Sequence, residues 1–234
     1  VRDFEEMVTA LITSLTGFVA GSLHVVTGPD HMAAIAPLAV QGQKKAWISG
    51  VRWGIGHASG VLLIGVLSLL FRNVLPIDSI SAYSERLVGV MLICIGFWGL
   101  RKALRLHVHE HHHKEETHSH IHAHAPLQDH FQPQSHVHKH TAFGIGTLHG
   151  LAGSSHFLGI IPALALSATS TVDAAVYLGF FGIGTIIAMG AFALGIGYLA
   201  NRFAANALKT YKRLMSGCSV AAVMVGVLWL IHPL

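Results

Sequence analysis

Apolar residues fill this chain in long unbroken runs, near Met7 to Val40, Ala46 to Leu70, Leu87 to Leu104, Thr141 to Ala168, Ala174 to Ala200 and Tyr211 to Leu230. A helix needs about 20 apolar residues to cross a bilayer, so each run predicts a transmembrane span, six in all. The first is too long for a simple span. Its 34 residues would make a helix of about 51 Å at ~1.5 Å per residue, against a hydrocarbon core of ~30 Å. A break is expected at Gly28-Pro29, because proline lacks an amide donor and clashes with the preceding turn.

The runs repeat. Residues 16–39, TGFVAGSLHVVTGPDHMAAIAPLA, align without a gap on 141–164, TAFGIGTLHGLAGSSHFLGIIPAL, at an offset of 125. Phe18 meets Phe143, Gly21 meets Gly146, His24 meets His149, Gly28 meets Gly153, His31 meets His156 and Pro37 meets Pro162. Glycine-rich apolar helices resemble one another by chance, but not with histidines, glycines and a proline paired in one register. Weaker echoes extend the match: WGIGH at 53–57 against FGIGT at 181–185, and YSERL at 83–87 against YKRL at 211–214. Three spans per half is an odd number, so the second half must enter the membrane in the opposite sense. The expected fold is an all-α integral membrane protein of six transmembrane helices in two inverted three-helix repeats, 1–106 and 141–234, joined by 107–140.

Composition agrees with a membrane chain. Of 234 residues, 52% are hydrophobic and 11% charged, where soluble domains carry about 25% charged residues; mean hydropathy is +0.56. The basic residues fall on one side of the expected topology. Loops after the first, third and fifth spans hold Lys44, Lys45, Arg101, Lys102, Arg105, Lys114, Lys139, Arg202, Lys209, Lys212 and Arg213, and the other side has Arg2, Arg72 and Arg86. The positive-inside rule puts the central loop on the cytoplasmic or equivalent side and both termini outside, in a bacterial inner membrane or an organellar inner membrane. The sequence pI of about 9.3 is thus an orientation signal, and no aromatic-interleaved basic surface suggests nucleic acid. The N-terminus lacks the pattern of a secretory signal. Cys94 and Cys218 lie far apart within apolar runs and read as packing residues rather than a redox pair.

Of the 19 histidines, His232 stands alone near the C-terminus and the other 18 form two groups. Thirteen crowd residues 107–140, a polar, low-complexity segment expected to be disordered when free of metal. Its imidazoles, with Glu110, Glu115, Glu116 and Asp129, suit borderline divalent cations. Such a tract reads as a buffer, sensor or delivery arm and as a docking place for a metallochaperone. Five others, His24, His31, His57, His149 and His156, lie in or near the apolar runs. A lone histidine in such a run is more often a hydrogen-bonded interior residue than a ligand, but here four of the five recur at repeat-related positions. His24 and His31 stand about 10.5 Å apart along a straight helix at ~1.5 Å per residue. Either Gly28-Pro29 brings them onto one ion or they serve successive sites along a path. Asp30 would balance the charge of a divalent ion or exchange a proton for it, and His57 would complete the shell. The expected metal-binding set is therefore His24, Asp30, His31, His57, His149 and His156. Asp30 and Ser154 or Ser155 also suit N-caps of the half-helices that follow.

The segment LHVVTGPDH followed by MAAIAPLA resembles the nickel/cobalt transporter family, whose signature helix carries a histidine followed by an Asp-His pair. The likeness is greatest to its six-helix branch of urease-accessory-type nickel transport membrane proteins, which includes plastid relatives, and covers nearly the whole chain. It implies that His24, Asp30 and His31 form the metal-binding signature, that His57 is the histidine of the following helix and that His149 opens the second repeat. Larger, eight-helix members usually have H-x4-D-H where this chain has H-x5-D-H.

The first functional expectation is a non-enzymatic transporter of a divalent transition-metal ion, nickel or cobalt with zinc admissible. It would work by alternating access at a His/Asp site and hold no permanently bound cofactor; no Walker loop is present. A second is a membrane metal sensor or delivery scaffold acting through the histidine-rich segment. A third is an intramembrane hydrolase pairing Ser154 or Ser155 with His149 or His156, which the absence of H-E-x-x-H and the repeat symmetry disfavour.

Overall fold

The computed structural model describes residues 2–70, 77–113, 116–123, 138–152, 159–206 and 208–231. Eight α-helices are seen among them: α1 (Arg2–Thr27), α2 (Pro29–Gly42), α3 (Ala46–Leu70), α4 (Ile77–Leu104), α5 (His138–Ala152), α6 (Ile161–Ser167), α7 (Thr171–Asn206) and α8 (Leu208–Ile231). The first apolar run breaks where expected, between α1 and α2. Five stretches are long and apolar enough to cross a membrane: Phe4–Thr27, Pro29–Leu67, Glu85–Leu104, Thr171–Phe203 and Lys209–Ile231. Of the fourth run the structure describes α5 up to Ala152 and α6 from Ile161, and residues 153–158 lie outside the described residues.

The histidine-rich segment, expected without regular structure, begins with two strands, β1 (Leu106–His113) and β2 (Glu116–Ala123). They pair antiparallel, with His107 opposite His122, His109 opposite His120 and His111 opposite His118. The His-x-His alternation has the two-residue period of a strand, which accounts for extended backbone in an otherwise helical chain. Residues 124–137 lie outside the described residues.

Close packing of small residues sets the helix arrangement. Lipid tails are as apolar as leucine, so helices in a bilayer associate through van der Waals contact where backbones can approach. Gly17 and Gly21 of α1 lie against the backbones of Tyr177 and Phe181, so α1 and α7 run parallel. Gly146 and Gly150 of α5 lie against Trp53 and His57, so α3 and α5 also run parallel. Gly50 meets Met189 and Gly54 meets Ile186, which makes α3 and α7 antiparallel. Gly89 meets Gly226 and Gly96 meets Ser219, and α4 and α8 are antiparallel too.

A 3-10 turn over Gln43–Lys45 reverses the chain between α2 and α3, with Gln43 at φ 45°. Lys44 and Lys45 in this turn, and Arg101 and Lys102 at the end of α4, mark one end of the bundle as basic. There Val40, Ala103, Ala200, Tyr211 and Met215 pack together, and the Tyr211 hydroxyl donates to the Val40 carbonyl at 3.2 Å. Deeper in, Ile35, Ala39, Trp53, Leu92, Met189 and Ala222 belong to the main core between α2, α3, α4, α7 and α8. The outer face is apolar: Phe4, Met7, Leu11, Leu15 and Val26 of α1 are each more than half exposed. The two cysteines are free thiols. Cys218 packs against the basic-end cluster as expected, whereas Cys94 is exposed.

Candidate metal centre

The break between α1 and α2 builds the site. Gly28 leaves helical conformation at φ −83°, ψ 102°. Its amide donates to the His24 carbonyl at 3.1 Å, and the His31 amide donates to the Gly28 carbonyl at 3.2 Å. Pro29 occupies the start of α2, where its missing N–H is one that a helix leaves unbonded anyway. Around this kink the His24 and His31 rings come to 4.4 Å between centroids, less than half their ~10.5 Å separation on a straight helix. Of the two arrangements open to the sequence, the rings converge. A Cβ at position 28 would lie 2.8 Å from Asp30 Oδ1 and closer still to His31 Nδ1, so only glycine fits.

Two further helices close the cluster. His57 of α3 lies 4.8 Å from His31 and 5.5 Å from His24, ring to ring. His149 of α5 lies 4.6 Å from His31 and 5.5 Å from His57. Asp30, His31, His57 and His149 are fully buried and His24 is 5% exposed. The glycines beside His57 permit this approach, since Gly56 meets the backbone of Phe143 and Gly60 that of Thr147.

Asp30 sits between two of the imidazoles. Its Oδ1 accepts from His31 Nδ1 at 2.9 Å and its Oδ2 accepts from His149 Nε2 at 3.0 Å. A carboxylate only accepts, so each of these nitrogens carries the proton and the other nitrogen of each ring keeps a bare lone pair. Those bare atoms, His31 Nε2 and His149 Nδ1, have no hydrogen-bond partner, and neither have His24 Nε2 or either nitrogen of His57. Leaving one buried polar atom unpaired costs about 1–3 kcal/mol. One nitrogen of a neutral His57 carries a proton, so up to four of these five offer lone pairs, and together they mark a place suited to a ligand that accepts them.

The ligand atoms of His24, His31 and His57 lie within 4.8 Å of one another, as do those of Asp30, His31 and His149. Three nitrogens around one ion at ~2.1 Å each stand about 3.4–3.6 Å apart, so the first trio would close in by up to about 1.4 Å on binding. His31 belongs to both groups. Its Asp30 bond is the carboxylate–histidine arrangement that fixes the tautomer of a metal-ligating ring.

His156, Ser154 and Ser155 lie outside the described residues, and with them the candidate serine–histidine pair. Two aromatic walls escaped the sequence reading. Trp53 lies 6.0 Å from His149 and Phe181 5.5 Å from His24, ring to ring. The signal was present, because WGIGH against FGIGT aligns these two residues.

Residues 13–228 match the family described as the cytochrome c biogenesis protein transmembrane region. The chain belongs to this family. It is 32% identical over 224 residues to chloroplast protein FOR GROWTH AND FERTILITY 1 of Arabidopsis thaliana, covering 95% of this chain and 60% of that protein. It is 33% identical to the urease accessory protein UreH of Bacillus sp. (strain TB-90), covering 80% and 77%. It is 23% identical to the putative nickel/cobalt efflux system MJ1092 of Methanocaldococcus jannaschii, covering 97% and 96%. No solved structure matches the chain. The relatives fit the nickel/cobalt transporter resemblance carried by LHVVTGPDH, and with its five apolar helices the chain is an integral membrane protein.

Proposed function

We propose that the chain transports a divalent transition-metal ion, nickel or cobalt, by alternating access at the cluster of His24, Asp30, His31, His57 and His149. The observation that carries this reading is the set of five unpartnered imidazole nitrogens buried between apolar helices. Intramembrane ionisable groups are costly and mark ion pathways. His24, His31 and His57 are the ligands in this reading, with His149 or water in a fourth position, and Asp30 orients His31 and His149 and balances charge. The ion is cargo and no permanent cofactor is involved; His156 joins only from the segment that follows α5. The relative with a nickel/cobalt efflux name favours these metals.

The two halves act as inverted repeats. Support comes from helix directions: the parallel pair α1 and α7 is mirrored by the parallel pair α5 and α3, and the pairs α3 with α7 and α4 with α8 are each antiparallel. Gly21 on Phe181 is mirrored by its repeat mate Gly146 on Trp53. With α1 and α2 as one broken span, each half is a three-span unit that inverts its partner. The basic end faces the cytoplasmic or equivalent side, where the histidine-rich segment exchanges ions with a metallochaperone.

Uptake of Ni²⁺, Co²⁺ and Zn²⁺ into liposomes holding the purified protein tests the reading. Saturable flux is expected from the unaltered chain and none from His24→Ala. Absence of flux for all three metals, with the protein folded, overturns it.

A further inference from the structure

The described residues line a half-open cavity of about 530 Å³ at the basic end, with Leu38 and Gln41 of α2, Ser49 of α3, Cys94 and Trp98 of α4 and Ile145 of α5 among its walls. Helices α4 and α5 flank the histidine-rich segment, so the cavity lies where that segment leaves and rejoins the bundle. Its depth follows from helix geometry. One turn beyond Ser49 on the same face of α3 comes Trp53, and one turn beyond Ile145 on α5 comes His149. Trp53 is fully buried.

The repeat provides an internal comparison. The offset of 125, and that of 128 set by WGIGH against FGIGT, carry Leu38, Gln41, Ser49 and Ile145 onto Ala163, Leu166, Tyr177 and Ala20. Those four residues pack against one another, together with Leu178. Space in one half is therefore side chain in the other. The same shift turns the α3 face Ser49, Trp53, His57 into the α7 face Tyr177, Phe181, Thr185. Phe181 is 1% exposed, and the Tyr177 ring lies 6.4 Å from it. On these two matched helix faces, one aromatic stands on the basic side of the centre and two on the far side.

We infer that the cavity is the water-filled entrance through which a hydrated divalent cation reaches the centre from the basic end, with Trp53 as its inner gate. Phe181 and Tyr177 close the equivalent entrance at the far end. The inference rests on the transport reading above. Most of the lining is apolar, but Gln41, Ser49 and Thr141 set polar residues along it, and Lys102 donates to Gln41 Oε1. Hydrocarbon would leave such groups unsatisfied.

Cys94 reports on this directly. The chain has two cysteines, so Cys218→Ser leaves Cys94 as the sole thiol. Thiol reagents attack the thiolate, which needs water. A membrane-impermeant methanethiosulfonate is expected to modify Cys94 about tenfold faster from the side where trypsin cuts at Lys44 and Lys45 than from the other, and the adduct to lower Ni²⁺ flux. Ser49→Tyr, which imports the mirror residue, is expected to slow the modification by about as much. Reaction only with a lipid-soluble maleimide, or equal rates from both sides, overturns the entrance while flux in the unmodified protein leaves the transport reading standing. One-sided modification with no flux in the unmodified protein keeps the entrance and overturns transport.

Discussion

The molecule holds two populations of histidine that differ in what fixes them. In the bundle, four imidazoles come from α1, α2, α3 and α5, and a single carboxylate sets the tautomers of two of them. In the segment 107–140, thirteen histidines occupy 34 residues, and the backbone register sets three of them opposite three others. Packing dictates the first group atom by atom, so no member has a substitute. Repetition supplies the second, where each member has neighbours able to replace it. Density of a residue type in sequence and precision of its chemistry in space are therefore separate properties, and here they lie in different places.

Substitutions can break this contrast in graded steps. His31→Ala removes the one residue common to both candidate ligand groups, and metal flux in proteoliposomes is expected to fall more than ~100-fold, beyond what loss of an orienting partner causes. Gly28→Ala keeps every ligand yet pushes a methyl into Asp30 and His31. Its metal affinity by calorimetry is expected to fall at least as far as that of Asp30→Asn, for which a ~10–100-fold loss is typical of an orienting carboxylate. Near-normal binding in Gly28→Ala would mean that the kink does not set the site. Deleting 107–137 removes most of the redundant histidines and is expected to change saturated flux by no more than about threefold, its effect being on the local supply of metal at low concentration. A complete loss there would move the working site out of the bundle. Smallest of all, Tyr211→Phe removes the bond to Val40 at the basic end, about 1 kcal/mol of stability. It is expected to lower the thermal midpoint slightly without altering metal affinity.

Much of the first repeat was legible because its chemistry is local. Gly28-Pro29 announced the break, and of the two arrangements open to His24 and His31 the converging one required it. Asp30 meeting His149 was not legible, because 119 residues separate them and only the packing of α5 on α3 closes that distance. The role of Asp30 as a bridge between two rings, rather than a lone counter-charge beside one, follows from this contact alone. Strand pairing in the histidine-rich segment was also missed, since its composition argued for disorder while its two-residue period argued for extension.

Asp30 is the single acid in the two candidate ligand groups. With neutral imidazoles, the empty cluster has a formal charge of minus one, and a divalent ion changes it to plus one. A membrane voltage therefore acts on the empty and loaded centres in opposite directions, by up to about 2.3 kcal/mol per 100 mV for each. In the proposed transport cycle, the potential that carried a loaded centre across would also return an empty one, so an electrical gradient by itself would suffice to turn it.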